Sequence, residues 1–337
     1  MPNLRVPILA TLALAALVNS AFAADSLRVR LAFLPWGISS AYVLAEKKGW
    51  FKKYDLDVKV DDGTGSVATV QIVGNGEYDV GEASLATMAI ARAKGLPVKA
   101  FAGITRRNDI SLIVGKDTNI KSPADLKGKK LAFTAGSLET PFLDQFLAAG
   151  KLKREDVELM NIDAAAKGGT FMAGRADGVF STTTFLLPVA NQHRPAIAVN
   201  FADYGLEFPS SGLFATEAKI AEKGPAMRRF ASVVAGTWGY IFAGNQDEAV
   251  QALIEARPQA KLNAKILREQ IDIMKEFMST PATKDLPYGV MLAADWEKAI
   301  SVLQSVKLIE STAPASSYYL DGYIDTKIAN DIAASKR

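Results

Sequence analysis

Cysteine is absent from this 337-residue sequence, and histidine occurs once, at His193. The lack of cysteine excludes a disulfide framework, so the fold depends on its hydrophobic core. It also excludes a lipid anchor attached through a cysteine. Because zinc and similar metals take most of their ligands from cysteine and histidine, we expect no metal site and no cofactor.

Long hydrophobic runs are equally scarce. The one extended apolar stretch, Val6 to Val18, follows Arg5 and is too short to span a bilayer. It is followed by Ala21-Phe22-Ala23, a small-x-small cleavage site, so residues 1–23 are predicted to be a signal peptide cut after Ala23. We therefore expect an exported, soluble protein that is free in the periplasm.

An excess of charge of one sign is also missing. The 39 Lys and Arg residues nearly balance the 36 Asp and Glu residues. Nucleic-acid binders concentrate basic residues on one face, so this composition gives no reason to expect a nucleic-acid partner. There is no Gly-x-Ser-x-Gly nucleophile elbow, and His193 stands in a polar stretch away from any nucleophile. We predict no catalytic residues, hence a binding protein rather than an enzyme.

The chain does contain an internal repeat. Leu31-Ala-Phe33 and Leu131-Ala-Phe133 each open a segment with the same order of turn, helix, glycine and strand. Each segment then reaches a Gly-x-x-Asp step, at 76–79 and 174–177. Strands alternating with short helices predict an α/β fold of two similar lobes, each a mostly parallel sheet flanked by helices.

Two segments are predicted to carry the chain between the lobes. They are Ile110–Gly115 and the stretch near Ser210–Phe214. The resulting division places residues 24–113 and 213–337 in lobe 1 and residues 114–212 in lobe 2. Amphipathic helices predicted at 225–242, 247–256, 264–277 and 294–303 complete lobe 1.

The candidate ligand site lies at the carboxyl ends of the strands, where ligands of open α/β sheets bind. The predicted ligand-binding residues come from both lobes: Trp36, Gly37, Gly65, Ser66, Glu82, Ser84, Ser137, Glu139, Thr182, Thr183, Phe185, Ser211 and Tyr288. Gly63-Thr-Gly-Ser-Val-Ala68 contains Gly-x-Gly-x-x-Ala, but it follows the second strand of its unit, which is the wrong place for a dinucleotide fingerprint. Ser66 is instead predicted to be a helix N-cap.

Several stretches carry a family resemblance, namely residues 41–57, 76–84, 125–130, 134–137, and 163–167 together with 173–177. In their order over nearly the whole chain they resemble the periplasmic solute-binding proteins of ABC importers. The matching family binds thiamine pyrimidine precursors, aliphatic sulfonates, taurine and nitrate. The resemblance implies the type II periplasmic binding protein fold, with two crossover strands and a cleft that closes on a small-molecule ligand. It also implies docking on an inner-membrane ABC permease with its ATPase, and we expect a monomer.

The predicted class of ligand depends on how a few residues are interpreted, and each of them has two possible roles. Trp36 either stacks on a planar ring or packs under its own loop. Glu82 and Glu139 either face the ligand or cap helix starts, where acidic residues are favoured. Stacking by Trp36 and acceptance by Glu82 together favour a neutral or weakly cationic heteroaromatic such as a pyrimidine. A sulfonate, taurine or nitrate ligand is the alternative, with Ser66 and Ser137 aimed at the anion.

Two further classes share this fold. One is a periplasmic sensor module that signals through a membrane kinase. The other is the fungal thiamine-pyrimidine synthase, whose cysteine-rich motif and consumed histidine have no counterpart in this sequence.

Overall fold

The computed structural model describes residues 24–336. The predicted signal peptide, residues 1–23, lies outside the described residues. Within the described part, no helix combines the length and the apolar character needed to cross a membrane.

In the described part of the chain, ten strands form two five-stranded sheets. In chain order the strands are β1 (Asp25–Arg30), β2 (Leu56–Asp61), β3 (Val80–Ser84), β4 (Val98–Gly103), β5 (Ile110–Gly115), β6 (Lys130–Phe133), β7 (Glu158–Asn161), β8 (Gly178–Thr182), β9 (Ala196–Asn200) and β10 (Ser211–Thr216). The first sheet has the order β2-β1-β3-β10-β4 and the second the order β7-β6-β8-β5-β9. In each sheet one strand, β10 or β5, runs antiparallel to its neighbours. The identical topologies confirm the predicted α/β fold of two similar, mostly parallel sheets.

Within residues 24–336, twelve α-helices cover the sheets. They are α1 (Ser40–Lys47), α2 (Trp50–Lys53), α3 (Ser66–Gly74), α4 (Leu85–Ala93), α5 (Leu143–Ala149), α6 (Ala164–Met172), α7 (Thr183–Asn191), α8 (Glu217–Tyr240), α9 (Gln246–Ala256), α10 (Ala264–Phe277), α11 (Ala293–Ser305) and α12 (Thr326–Ala333). Below, the first lobe is the first sheet with α1–α4 and α8–α12, and the second lobe is the second sheet with α5–α7.

Each of the two predicted crossover strands pairs within a single sheet. β5 pairs with β8 and β9 from Ile110 onward, and β10 pairs with β3 and β4 from Ser211 onward. The predicted domain boundaries at 113/114 and 212/213 therefore each fall inside a strand. The division of the chain into two lobes at these points stays a prediction.

Helix α8 begins before the predicted start at Pro225. Thr216 caps it by accepting a hydrogen bond from the backbone N–H of Lys219 at 3.1 Å. The proline is tolerated because Lys223, two residues earlier, leaves helical geometry (φ −123°, ψ 15°) and so kinks the helix. Cap and kink together explain why one helix replaces the shorter predicted one.

Helix α5 begins later than the sequence predicts. The sequence predicts a helix from Pro141, but Thr140–Phe142 form a single 3₁₀ turn, and the α-helix begins at Leu143. Pro141 lies in the first turn, where its missing N–H costs nothing.

Candidate functional site

A cleft with a volume of about 70 Å³ lies between the lobes, at the carboxyl ends of β1, β3 and β8. Its lining residues come from both lobes and from the two crossings: Ala32, Phe33, Trp36, Ile38, Ser66, Glu82, Ser84, Thr105, Asp109, Ser137, Leu138, Glu139, Lys167, Ser181, Thr182, Phe185, Ser210 and Ser211. This is the position predicted for ligands of open α/β sheets.

Three aromatic rings form one wall of the cleft. Phe185, at the start of α7 in the second lobe, meets Phe33 edge to face at 5.4 Å and Trp36 at 5.5 Å between ring centroids. Phe33 and Trp36 follow β1 in the first lobe. Trp36 therefore lines the cleft and packs across it, on a half-buried turn where its ring face is available to a ligand.

Glu82 is buried at the end of β3, with 2% of its surface exposed. Its carboxylate accepts hydrogen bonds from the backbone N–H of Ala32 at 3.0 Å and from the hydroxyl of Ser211. Burial raises the pKa of Glu82 and outweighs these hydrogen bonds, which lower it. Since Glu82 lies in a strand and caps no helix, the capping interpretation is wrong for this residue.

Asp109 is a second buried carboxylate in the cleft, and sequence reasoning missed it. It accepts hydrogen bonds from the hydroxyls of Ser210 and Thr184, each at 2.5 Å. Burial raises its pKa as well. Asp109 directly precedes the predicted crossover strand at Ile110, and the residues around it give no local sign that it faces the cleft.

Glu139 forms a buried ion pair with Lys167, at 2.6 Å between Oε1 and Nζ. Among residues 24–336 its other oxygen, Oε2, is buried without a hydrogen-bond partner. Glu139 stands at the N-cap position of the 3₁₀ turn Thr140–Phe142, but its side chain makes no capping hydrogen bond. Lys167, which was also missed, lies on α6 inside the stretch 163–167 that carries the family resemblance.

The charges in the cleft do not balance. The lining contains three carboxylates, at Glu82, Asp109 and Glu139, and one cation, Lys167. Of the described residues, no Lys, Arg or His places a nitrogen within 4.0 Å of the Glu82 or Asp109 carboxylate. Across residues 24–336 no three His, Asp or Glu side chains are grouped to hold a metal ion. The lining of the cleft is thus richer in acidic than in basic side chains.

Three hydroxyl groups that line the cleft accept hydrogen bonds from backbone N–H groups. Ser84 caps α4 by accepting from Thr87 N–H at 3.3 Å, and Thr182 caps α7 by accepting from Phe185 N–H at 3.2 Å. Ser66 is the first residue of α3 and its hydroxyl accepts from Ser84 N–H, so the N-cap is Gly65 and the predicted cap at Ser66 is wrong.

Four predicted site residues do not line the cleft. The N–H of Gly37 donates to Gln270 Oε1 at 3.0 Å, and the hydroxyl of Thr183 donates to Asn200 at 2.7 Å. Gly65 acts through its backbone at the contact between lobes, whereas Tyr288 lies in a different cavity. The remaining predicted residues, among them Ser137 and Ser211, do line the cleft.

The lobes touch on either side of the cleft. Gln270 Nε2 on α10 donates to the Phe185 carbonyl at 2.7 Å, and Val67 N–H on α3 donates to the Gly136 carbonyl at 3.3 Å. These contacts join the first lobe to the second and correspond to a closed cleft.

Comparison with known proteins places this geometry in a class. The fold superposes on that of the alkanesulfonate-binding protein SsuA of Xanthomonas axonopodis pv. citri, solved with MOPS bound, with a TM-score of 0.68 and 15% sequence identity. The superposition covers 88% of this chain and 99% of that protein. The fold is therefore that of the periplasmic binding proteins. Residues 38–249 match the NMT1/THI5-like family, and the chain belongs to it.

Two proteins of similar sequence have names that refer to thiamine or to a pyrimidine. A Haemophilus influenzae protein named for thiamine biosynthesis is 25% identical over 231 residues, 67% of this chain and 72% of its own length. The Saccharomyces cerevisiae 4-amino-5-hydroxymethyl-2-methylpyrimidine phosphate synthase THI13 is 26% identical over 158 residues, which cover 45% of this chain and 46% of the yeast protein.

Proposed function

We propose that this protein is the exported solute-binding component of an ABC importer, and that it captures a planar heteroaromatic such as a thiamine pyrimidine precursor by closure of the cleft. Two features of the cleft carry the proposal. One is the aromatic wall formed by Trp36 and Phe185. The other is the pair of buried carboxylates, Glu82 and Asp109, which have no cationic partner among residues 24–336. A ring stacked on Trp36 and bearing an amino group satisfies both features.

The carboxylates favour this ligand over the sulfonate or nitrate alternative. An anion in the cleft would lie beside Glu82 and Asp109, and the single lining cation, Lys167, already neutralises Glu139. A protonated or amino-bearing ring instead supplies donors to the carboxylates. Family membership and the pyrimidine named in the yeast relative agree with this choice.

The enzymatic alternative has little support in the chain itself. His193 is exposed at the end of α7, and it does not line the cleft. The contacts that Glu82 and Asp109 make are hydrogen bonds to hydroxyls and a backbone N–H, which suit binding. We propose a binding protein that acts as a monomer and delivers its ligand to a membrane permease.

Calorimetric titration tests the proposal. We expect 4-amino-5-hydroxymethyl-2-methylpyrimidine to bind saturably with one site per chain, and taurine and nitrate at the same concentrations to give no binding heat. Tight binding of taurine or nitrate without binding of the pyrimidine would contradict the proposed ligand class and leave the transport role in place. Turnover of the pyrimidine into a new product would contradict the binding role itself.

A further inference from the structure

Arg106 lies on the segment that leads from β4 into β5, where the chain first crosses between the lobes. The residue is buried, with 6% of its surface exposed, and its backbone N–H donates to the Phe277 carbonyl at 2.8 Å. Its guanidinium group is nearly without partners. Nη2 is 3.5 Å from the Pro287 carbonyl, and Nε and Nη1 have no hydrogen-bond acceptor among residues 24–336.

The positive charge of Arg106 is not matched nearby. Burial lowers the pKa of its guanidinium, and Asp295 offsets this only at a distance. No described carboxylate comes within 4.0 Å of its nitrogens to form an ion pair. Buried arginines are ordinarily paired, because an unpaired buried charge with unsatisfied donors is costly.

Arg106 lines a second cavity of about 390 Å³, which shares no lining residue with the cleft. Helices α8 and α12 form one side, through Ala235, Gly239 and Ala329. The other side is the segment Ser279–Tyr288, which contains no strand or α-helix. Lys284 and Asp285 of that segment also line the cavity and carry opposite charges, so Arg106 leaves the lining with a net positive charge.

We propose that this cavity is a second binding site, and that it takes a small oxyanion held by the guanidinium group of Arg106. The planar fork of an arginine matches the oxygens of a phosphate or carboxylate group in a bidentate manner. Nε and Nη1 are themselves shielded from solvent, so the anion supplies the acceptors they lack only when the wall of the cavity moves. Because the Ser279–Tyr288 segment is a loop, it is the part of the wall that adjusts to admit the anion.

Inorganic phosphate is the probe, and Arg107 provides the matched control. Arg107 is the exposed neighbour of Arg106 in the chain, with its guanidinium over the ring of Phe277. At constant ionic strength, replacing chloride by phosphate should raise the Tm of the wild type and of Arg107→Gln by on the order of 2 °C, in a saturable way. Arg106→Gln should show no phosphate-dependent rise. An equal rise in Arg106→Gln, or none in the wild type, would overturn the proposal.

A second measurement does not depend on whether Arg106→Gln folds. Crystals of the wild-type protein grown with selenate should show an anomalous peak within hydrogen-bond distance of the Arg106 guanidinium. A cavity without such a peak, in crystals that bind selenate elsewhere, would count against the site. Neither measurement involves the cleft, so failure here leaves the proposed function untouched.

Discussion

In the proposed function, ligand selection in the cleft depends most on Trp36. It stands on the turn after β1 and meets Phe185 of the opposite lobe edge to face at 5.5 Å. Sequence reasoning could place it near the strand end, since the turn follows an alternating run. The partner ring could not be identified, because Phe185 approaches only through the packing of two lobes.

Replacing Trp36 by alanine tests the stacking role. We expect the affinity for 4-amino-5-hydroxymethyl-2-methylpyrimidine to fall by about 1–3 kcal/mol, roughly fivefold to 150-fold, because the ring loses its stacking surface. Leu34→Ala is the matched control, since Leu34 is 40% exposed on the same turn and does not line the cleft. Titration calorimetry on both variants measures the difference. Equal affinities in the two variants would exclude stacking on Trp36.

The raised pKa of Glu82 makes stability depend on pH in a definite direction. The buried acid keeps its proton to higher pH in the folded chain than in the unfolded chain. Its contribution to the free energy of unfolding is therefore largest below the ordinary carboxyl range, about pH 4.3, and is lost as the pH rises through the folded value.

Urea denaturation between pH 4 and pH 8 should show this loss in the wild type and a smaller loss in Glu82→Gln. Glu46→Gln makes the same substitution at an exposed position and serves as control. An unchanged pH dependence in Glu82→Gln would mean that burial of this carboxylate carries no penalty.

The ion pair between Lys167 and Glu139 should behave differently from a surface pair. Lys167→Met leaves the fully buried Glu139 carboxylate without a cation, so we expect a loss of about 3–5 kcal/mol in the free energy of unfolding. The double variant Lys167→Met with Glu139→Gln should recover part of that loss.

Lys47→Met is the control for that experiment. It breaks a pair with Glu255 of the same 2.6 Å length whose side chains are 46% and 61% exposed, and should cost about 0–1 kcal/mol. Chemical denaturation compares the three variants. Equal losses for Lys167→Met and Lys47→Met would contradict the buried character of the pair.

At the scale of elements, the start of α3 brings the lobes into contact. Gly65 has φ +153°, and a Cβ at this position would lie 3.0 Å from the carbonyl oxygen of Gly136 in the opposite lobe. A glycine here lets the two backbones approach, which is also why the N-cap is Gly65 and not the serine that the sequence pattern favours. Capping preference is a local property, whereas this contact forms only when the lobes meet.

Gly65→Ala should therefore hinder closure. Gly76→Ala is the control, because Gly76 also has a positive φ, +84°, but a Cβ there meets nothing within 4 Å. For the backbone conformation alone, Gly65→Ala should cost about 1–3 kcal/mol of stability and Gly76→Ala about 1–2 kcal/mol. Only Gly65→Ala should also weaken ligand binding and leave the radius of gyration of the ligand-saturated protein larger than that of the wild type. Small-angle scattering that finds both variants equally closed would contradict this role.

For the whole molecule, the repeated order of signals in the sequence was enough to predict the architecture. The Leu-Ala-Phe run at 31–33 directly follows β1, and the run at 131–133 lies in β6. These two strands occupy equivalent positions, because the two sheets share one topology. The predicted crossings at Ile110–Gly115 and near Ser210–Phe214 fall on β5 and β10, although the sequence could not show which sheet each strand joins. That choice depends on pairing partners more than 60 residues away, Thr182 for Ile110 and Ser84 for Ser211.

The site was less predictable than the fold. Loops after strands are identifiable from turn residues, which is why Trp36, Glu82 and Ser137 were selected. Asp109 and Lys167 were missed because a crossing segment and a helix face give no local sign of pointing into a cleft. Tyr288 was selected as an aromatic residue in a loop, and the structure places that loop at the second cavity.

A crystal structure of the protein with 4-amino-5-hydroxymethyl-2-methylpyrimidine tests the central claim most directly. The account predicts a closed cleft, with the pyrimidine ring against Trp36 and its amino group within hydrogen-bond distance of Glu82 or Asp109. A cleft that stays empty at saturating pyrimidine, or that instead holds an anion beside Lys167, would contradict it.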